Sequence, residues 1–194
     1  MNSTLLKSLL ITVFFVSAYS CGTSEDGSEG IGSGGNGSGS KLGGSYTIIS
    51  MESDIIVDLN NDGITSFDLL TEIDPSVFST ALPELEIKPV VINNKLENMM
   101  SFYLPHPTLT GGTSTTPEGV KFTKRGLGYI YEFDDATQTI HLENNVDEPA
   151  VNGHMENIQI LGNNKLQAVF IKSYFDFSTT SWKLLTITCV YKKI

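Results

Sequence analysis

From about Ser45 onward this chain predicts an all-β fold of antiparallel strands, and three observations carry that reading. Short runs rich in Ile, Val, Thr, Tyr and Phe recur along the chain, turn-forming residues separate them, and the links between the later runs are only a few residues long. Short links join neighbouring strands that run in opposite directions, so the C-terminal third reads as a meander. The expected architecture is an antiparallel up-and-down barrel or cup with one short helix, and a two-sheet β-sandwich is the alternative. A closed or nearly closed barrel would remove the exposed edges that eight to ten strands otherwise leave.

In chain order the strands are expected at 46–51, 55–59, 86–92, 99–104, 120–123, 128–133, 139–143, 156–161, 166–177 and 182–192. Asp134-Asp135-Ala136-Thr137 turns the chain between Tyr129-Ile130-Tyr131-Glu132-Phe133 and Ile140-His141-Leu142. Gly162-Asn163-Asn164 and Ser178-Thr179-Thr180 link the last three strands. Alternation puts Tyr129, Tyr131 and Phe133 on one face of their strand, and Val169, Ile171, Phe175 and Phe177 on one face of theirs. The opposite face of that long strand, Phe170, Lys172, Tyr174 and Asp176, is half polar. The one convincing helical pattern is 66–73, ended by Asp74-Pro75 because the residue before a proline is pushed out of helical conformation. A second short turn is expected at 75–81.

Ahead of this domain the composition changes. Residues 1–20 carry one basic residue, Lys7, then the run Leu9-Leu10-Ile11-Thr12-Val13-Phe14-Phe15-Val16, and close on the small residues Ser17, Ala18 and Ser20. The apolar stretch is well short of the roughly 18 to 20 residues a permanent spanning helix needs, and it matches the h-region of a secretory signal peptide. Ala18-Tyr19-Ser20-Cys21 then resembles the bacterial lipobox, in which the Cys is diacylated and becomes the new N-terminus. The other reading is an ordinary signal peptide cut near Ser20. The resemblance implies that Cys21 carries lipid, and two or three acyl chains, at about 0.8 kcal/mol per buried CH2, anchor stably.

Glu25-Asp26, a few residues after Cys21, resembles the acidic export signal of Bacteroidetes lipoproteins. That likeness implies an outer-membrane protein, lipid-anchored at the cell surface, with the membrane as its first partner. The Gly- and Ser-rich stretch that follows cannot bury enough apolar surface to fold. As a coil of about 23 residues it averages roughly 25–30 Å end to end. The expected organisation is a signal peptide over 1–20, a lipidated Cys and tether over 21–44, and a β domain over 45–194.

Composition excludes some partners. The formal net charge is −10, and neither nucleic acid nor an anionic lipid surface suits a chain whose Lys and Arg are few and scattered. With Cys21 lipidated, Cys189 is left alone in an apolar strand, where a buried inert thiol is expected.

The opening Gly44-Ser45-Tyr46-Thr47-Ile48-Ile49-Ser50, followed by Asp58-Leu59-Asn60-Asn61-Asp62-Gly63-Ile64-Thr65-Ser66-Phe67-Asp68-Leu69-Leu70-Thr71-Glu72-Ile73, resembles the start of lipocalin-like lipoproteins of Bacteroidetes. The likeness covers about 30 residues and implies a lipocalin-like up-and-down barrel or cup without an agreed activity. The loop itself carries chemistry. Calcium takes six to eight hard oxygens, and Asp58, Asn60 and Asp62 at alternate positions, with Gly63 at the bend, match the first half of an EF-hand loop. The expected ligands of a structural calcium ion are Asp58, Asn60, Asp62, the Ile64 carbonyl and Asp68. The twelfth position, where a bidentate acid belongs, is Leu69; the nearest acid is Asp68 one residue early, with Glu72 further on, so either the loop closes one residue shorter or the site lacks its strongest ligand. The alternative is an Asx-rich turn whose side chains serve their own backbone.

Catalytic chemistry is not expected. His106, His141 and His154 are scattered, no GxSxG elbow occurs, and Gly126-Leu127-Gly128 leads into a strand rather than a helix. Asp134-Asp135 and Asp147-Glu148 read as turn chemistry. Tyr103, Tyr129, Tyr131, Phe133, Tyr174, Phe175 and Trp182 either line a cup for a small apolar or glycan ligand or pack a core. The function expected is a non-enzymatic ligand-binding or accessory role at the outer membrane; the alternative is a calcium-stabilised structural or adhesive interaction module.

Overall fold

The computed structural model describes residues 41–79, 81–113, 115–143 and 151–194. The expected signal peptide, Cys21, most of the tether and the pair Asp147-Glu148 lie outside them. The described residues form one antiparallel sheet: β1 (Gly44–Val57), β2 (Ser66–Asp68), β3 (Leu85–Ile92), β4 (Lys95–Thr110), β5 (Gly119–Asp134), β6 (Thr139–Glu143), β7 (His154–Gly162), β8 (Lys165–Asp176) and β9 (Ser181–Lys193). A single helical turn, α1 (Leu69–Glu72), follows β2, and a 3-10 turn covers Pro75–Val77.

The strand order is β6-β5-β4-β3-β1-β9-β8-β7, with β2 beside β1. Among the described residues consecutive strands pair except β2 with β3 and β6 with β7, and the last strand returns to pair with the first. Strands lie about 4.8 Å apart, so β4 and β8, four steps apart, would be separated by about 19 Å in a flat sheet. Yet the rings of Phe102 on β4 and Phe170 on β8 have centroids 5.2 Å apart, and the Met155 amide on β7 donates to the Tyr129 hydroxyl on β5 at 2.9 Å. The sheet therefore coils into a cup. It is not closed: among the described residues no ladder joins β6 to β7.

Several expected elements merge. The runs 46–51 and 55–59 are one strand, β1, which keeps its pairing to β9 through an irregularity between Ile48 and Ser50. The runs 120–123 and 128–133 are likewise one strand, β5, because Gly126 and Gly128 stay extended opposite Tyr103 and Ser101. β4 runs on through Pro105 and Pro107, so His106, expected in a loop, sits in a strand. The reason is geometric. Past Phe102 the ladder between β3 and β4 ends, and the Tyr103 amide already points to that vacated side, where it meets the Glu84 carbonyl at 2.8 Å. The nitrogens of Pro105 and Pro107 face the same way, so no bond to β5 is lost. The expected helix over 66–73 shrinks to one turn because Ser66–Asp68 pairs with β1 instead.

The interior is packed with side chains. Met51, Met100, Phe102, Phe170, Tyr174, Ile187, Cys189 and Tyr191 are all fully buried, and Phe102 meets Tyr129, Phe170 and Tyr191 edge-on. On β8 the inward face is the half-polar one, Phe170, Lys172, Tyr174 and Asp176, while Val169 and Ile171 are only half-buried outside. Phe175 packs with Phe177 and Trp182 in a small external cluster.

Antiparallel pairing sorts the turns to two ends. One end holds the start of β1, the end of β9, and the turns β3–β4, β5–β6 and β7–β8. Asn93-Asn94 and Asn163-Asn164, all at positive φ, make two of those turns. The chain reaches β1 across this end: Leu42 is buried, its carbonyl accepts from the Tyr46 hydroxyl at 2.6 Å, and Lys41 pairs with Asp135 of the β5–β6 turn at 2.9 Å. The Asp58 loop lies at the other end.

Candidate functional site

The loop after β1 is organised by its own side chains. Asn61 (φ 63°) and Gly63 (φ 83°) take the left-handed conformation that Asn and Gly tolerate best. The buried Asp58 carboxylate fills the concavity this makes, accepting from the Asn61 amide at 2.8 Å and the Gly63 amide at 3.0 Å. Asn60 Oδ1 accepts from the Asp62 amide at 3.0 Å, and Asp62 Oδ1 from the Ile64 amide at 2.8 Å. This is a cascade of Asx turns.

The loop is also tied to the sheet from outside. Asp176 Oδ1 accepts the Asp58 amide at 3.1 Å, and the Asp58 carbonyl accepts from the Phe177 amide at 2.8 Å. Burial pushes the Asp176 carboxyl up, but bonds from Thr179, Ser178 and the Asp58 amide outweigh it, and the net shift is downward. Glu72, buried at the end of α1, accepts the Leu59 amide at 2.9 Å. Burial raises its carboxyl above the usual range, the Leu59 bond opposes this, and the Asp62 and Asp58 carboxylates raise it further. Beside the loop, Asn60, Glu72, Pro75 and Phe122 border an open groove of about 210 Å³.

Of the expected calcium ligands, the structure brings Asp58, Asn60 and Asp62 together. Asp68 caps α1, accepting from the Leu70 amide at 3.0 Å, and Leu69 at the twelfth position is fully buried. The acid whose charge meets those of Asp58 and Asp62 is Glu72, the further acid beyond the twelfth position, which a short strand and a helical turn carry back to the loop. Asp58 accepts a backbone bond on each oxygen, and a carboxylate oxygen has two lone pairs, so capacity is left. Among the described residues no group of three or more His, Cys, Asp or Glu is arranged to hold a metal. Of the expected set the structure gathers two acids and an amide, where calcium takes six to eight oxygens.

A second polar constellation lies inside the cup. Lys172 is fully buried, with its ammonium donating to the Val151 carbonyl at 2.6 Å and the Asn152 carbonyl at 3.2 Å and lying 5.4 Å from the Tyr174 ring centroid. Burial, helped by the Arg125 charge, lowers its pKa to about 8. His106 is lowered as well, by burial first and by Lys172 and Arg125. His154 lies 3.5 Å from Glu156 at the start of β7, and His141 is exposed on β6. Cys189 is buried and its thiol is pushed up to about 12 by burial, as suits an inert core residue.

Lys172 gives a pH signature. Between about pH 8 and the ordinary lysine value of 10.5 the unfolded chain holds a proton that the folded chain has shed, so stability rises with pH across that window. Urea unfolding should show a gain of about 1 kcal/mol between pH 8 and 9 that is missing in Lys172→Met. Equal slopes in the two proteins would mean the ammonium is solvated.

The aromatic residues divide between inside and outside. Tyr129, Tyr131 and Tyr174 are core, whereas Trp182 is 45% exposed. The sequence reads Asp176 only as a polar member of a strand face, although Asp176 followed by Ser178 and Thr179 is an Asx-turn pattern. The buried ion pair of Glu84 and Lys124 carried no such signal. No protein-family model, curated protein or solved structure matches the chain.

Proposed function

We propose that the chain is a lipid-anchored, non-catalytic accessory protein of the outer-membrane surface, whose loop end makes the working contacts. The anchor rests on the run before Cys21 and on Glu25-Asp26 after it. The observation that favours an accessory role over a ligand cup is the interior, where Phe102, Phe170 and Tyr191 meet ring to ring across the middle. Side chains occupy the space a small apolar or glycan ligand would take. In the producing cell, an alkyne-tagged palmitate should label the chain and Cys21→Ser should abolish the label; protease added to intact cells should remove the domain. Native mass spectrometry then separates the two roles, because a retained small molecule would replace the accessory reading with a ligand-binding one.

A second reading, that the Asp58 loop takes structural calcium, is favoured by the preset arrangement of Asp58, Asn60 and Asp62 and by the coupling of Glu72 to two of them. Asp58, Asn60, Asp62 and the Ile64 carbonyl would hold the ion, with Asp68 or Glu72 as the closing acid. A bound cation would offset the repulsion among the carboxylates. At about 100-fold above the dissociation constant, calcium would stabilise the fold by roughly 2.7 kcal/mol. Thermal unfolding in millimolar calcium should exceed that in chelator by several degrees, and Asp62→Ala should erase the difference. Superimposable curves would leave the loop as an Asx turn.

A further inference from the structure

The end of the cup that receives the tether has a surface that its own fold does not use. Val91 and Leu96 face each other across the β3–β4 hairpin and are 70% and 63% exposed. At the β7–β8 hairpin Leu161 is 45% exposed. Single exposed apolar residues need no explanation, but these stand at the tips of two projecting hairpins on one end of the sheet. Next to Leu161, Lys165 on β8 lies directly opposite Lys192 on β9. Like charges in that register repel, and among the described residues neither has an acidic partner, whereas Lys41 and Lys95 are matched by Asp135 and Glu97. Two unmatched ammonium groups beside apolar tips suit an interface that is oily below and phosphate-lined above.

We infer that this end rests on the lipid surface to which the chain is anchored, with Val91, Leu96 and Leu161 entering the headgroup boundary and Lys165 and Lys192 meeting lipid phosphates. The inference rests on the lipid-anchor reading of Cys21. The occupant follows from where the preceding chain leaves the domain: Lys41 and Leu42 are fastened across this same end, so an anchor at Cys21 draws this end, not the Asp58 loop, toward the bilayer. Tethering also keeps the local lipid concentration high, so contacts too weak to hold a free protein suffice. The net charge of −10 opposes approach of the molecule as a whole, and the contact depends on the local sign at Lys165 and Lys192.

The test uses the full lipidated chain in vesicles of phosphatidylethanolamine and phosphatidylglycerol, with an environment-sensitive dye on Val91→Cys, on Leu161→Cys, or on Ile64→Cys at the far end. Dyes at 91 and 161 should shift to the blue and be quenched by headgroup-level nitroxide lipid, and the dye at 64 should do neither. Lys165→Glu with Lys192→Glu should release the dye at 161 while the protein still floats with the vesicles. A chain that floats with all three dyes in water overturns the contact and leaves the anchor intact; a chain that does not float overturns both. Shifts that follow protein density rather than lipid would assign the surface to a second copy and overturn the inference as well.

Discussion

Glu84→Ala is expected to cost about 3–5 kcal/mol of folding stability, because it strands a buried charge. The side chains of Glu84 and Lys124 are only 4% and 5% exposed and meet at 2.7 Å. The second oxygen of Glu84 accepts the Ile48 amide at 3.2 Å, so one carboxylate ties β1 to β5. Without it, the Lys124 ammonium is left with the Leu82 carbonyl, and the Ile48 amide loses this acceptor. Melting should fall by on the order of 10 °C for a domain of this size. Pairing Glu84→Leu with Lys124→Met should recover most of the loss, since apolar replacement of a whole buried pair is often neutral. Urea unfolding of the single and double variants measures both; a single-variant loss under about 1 kcal/mol would show that water reaches the pair.

Phe170→Ala should cost a similar amount, about 3–5 kcal/mol, through the cavity it opens in the middle of the cup. Phe170 and Phe102 are both fully buried, and Phe102 touches three aromatic rings from β5, β8 and β9. Their double alanine variant should lose less than the sum of the singles, because the first cavity already removes the edge-to-face contact. Ile171→Ala, one residue along the same strand and only half-buried, should cost clearly less. Equal losses at 170 and 171 would contradict the inward orientation of the half-polar face.

That orientation marks where sequence reasoning stopped. Alternation identified the two faces of β8 but favoured Val169, Ile171, Phe175 and Phe177 as the apolar one. The other face turns inward because its polar members find partners: Lys172 at Val151 and Asn152, and Asp176 at Ser178, Thr179 and the Asp58 amide. Hydrophobic counting undervalues a charged side chain whose bonds come from distant backbone. The strand expected at 99–104 fell short of β4, which passes through Pro105 and Pro107, since a proline in a strand is excluded only where its missing amide faces a partner. The half of the site that lies within the Asp58 loop was legible because each bond spans two to five residues. Of Glu72 the sequence showed an acid beyond the twelfth position, but not its bond to the Leu59 amide.

Local chemistry therefore determined what was readable from the chain alone: strands from β-branched and aromatic runs, the hairpin at Asn163-Asn164, a pair that accepts positive φ, and a loop shaped by its own Asp and Asn side chains. All of these depend on residues a few positions apart. Tertiary structure alone decided which face of β8 is interior, that the sheet coils without closing between β6 and β7, and which acid joins the Asp58 loop. Those outcomes rest on contacts across the chain, from Leu59 to Glu72 at a separation of 13 and from Asp58 to Asp176 at a separation of 118. Such partners carry no local signature, because a buried charge is stabilised by whatever dipoles the fold brings to it rather than by its neighbours in sequence.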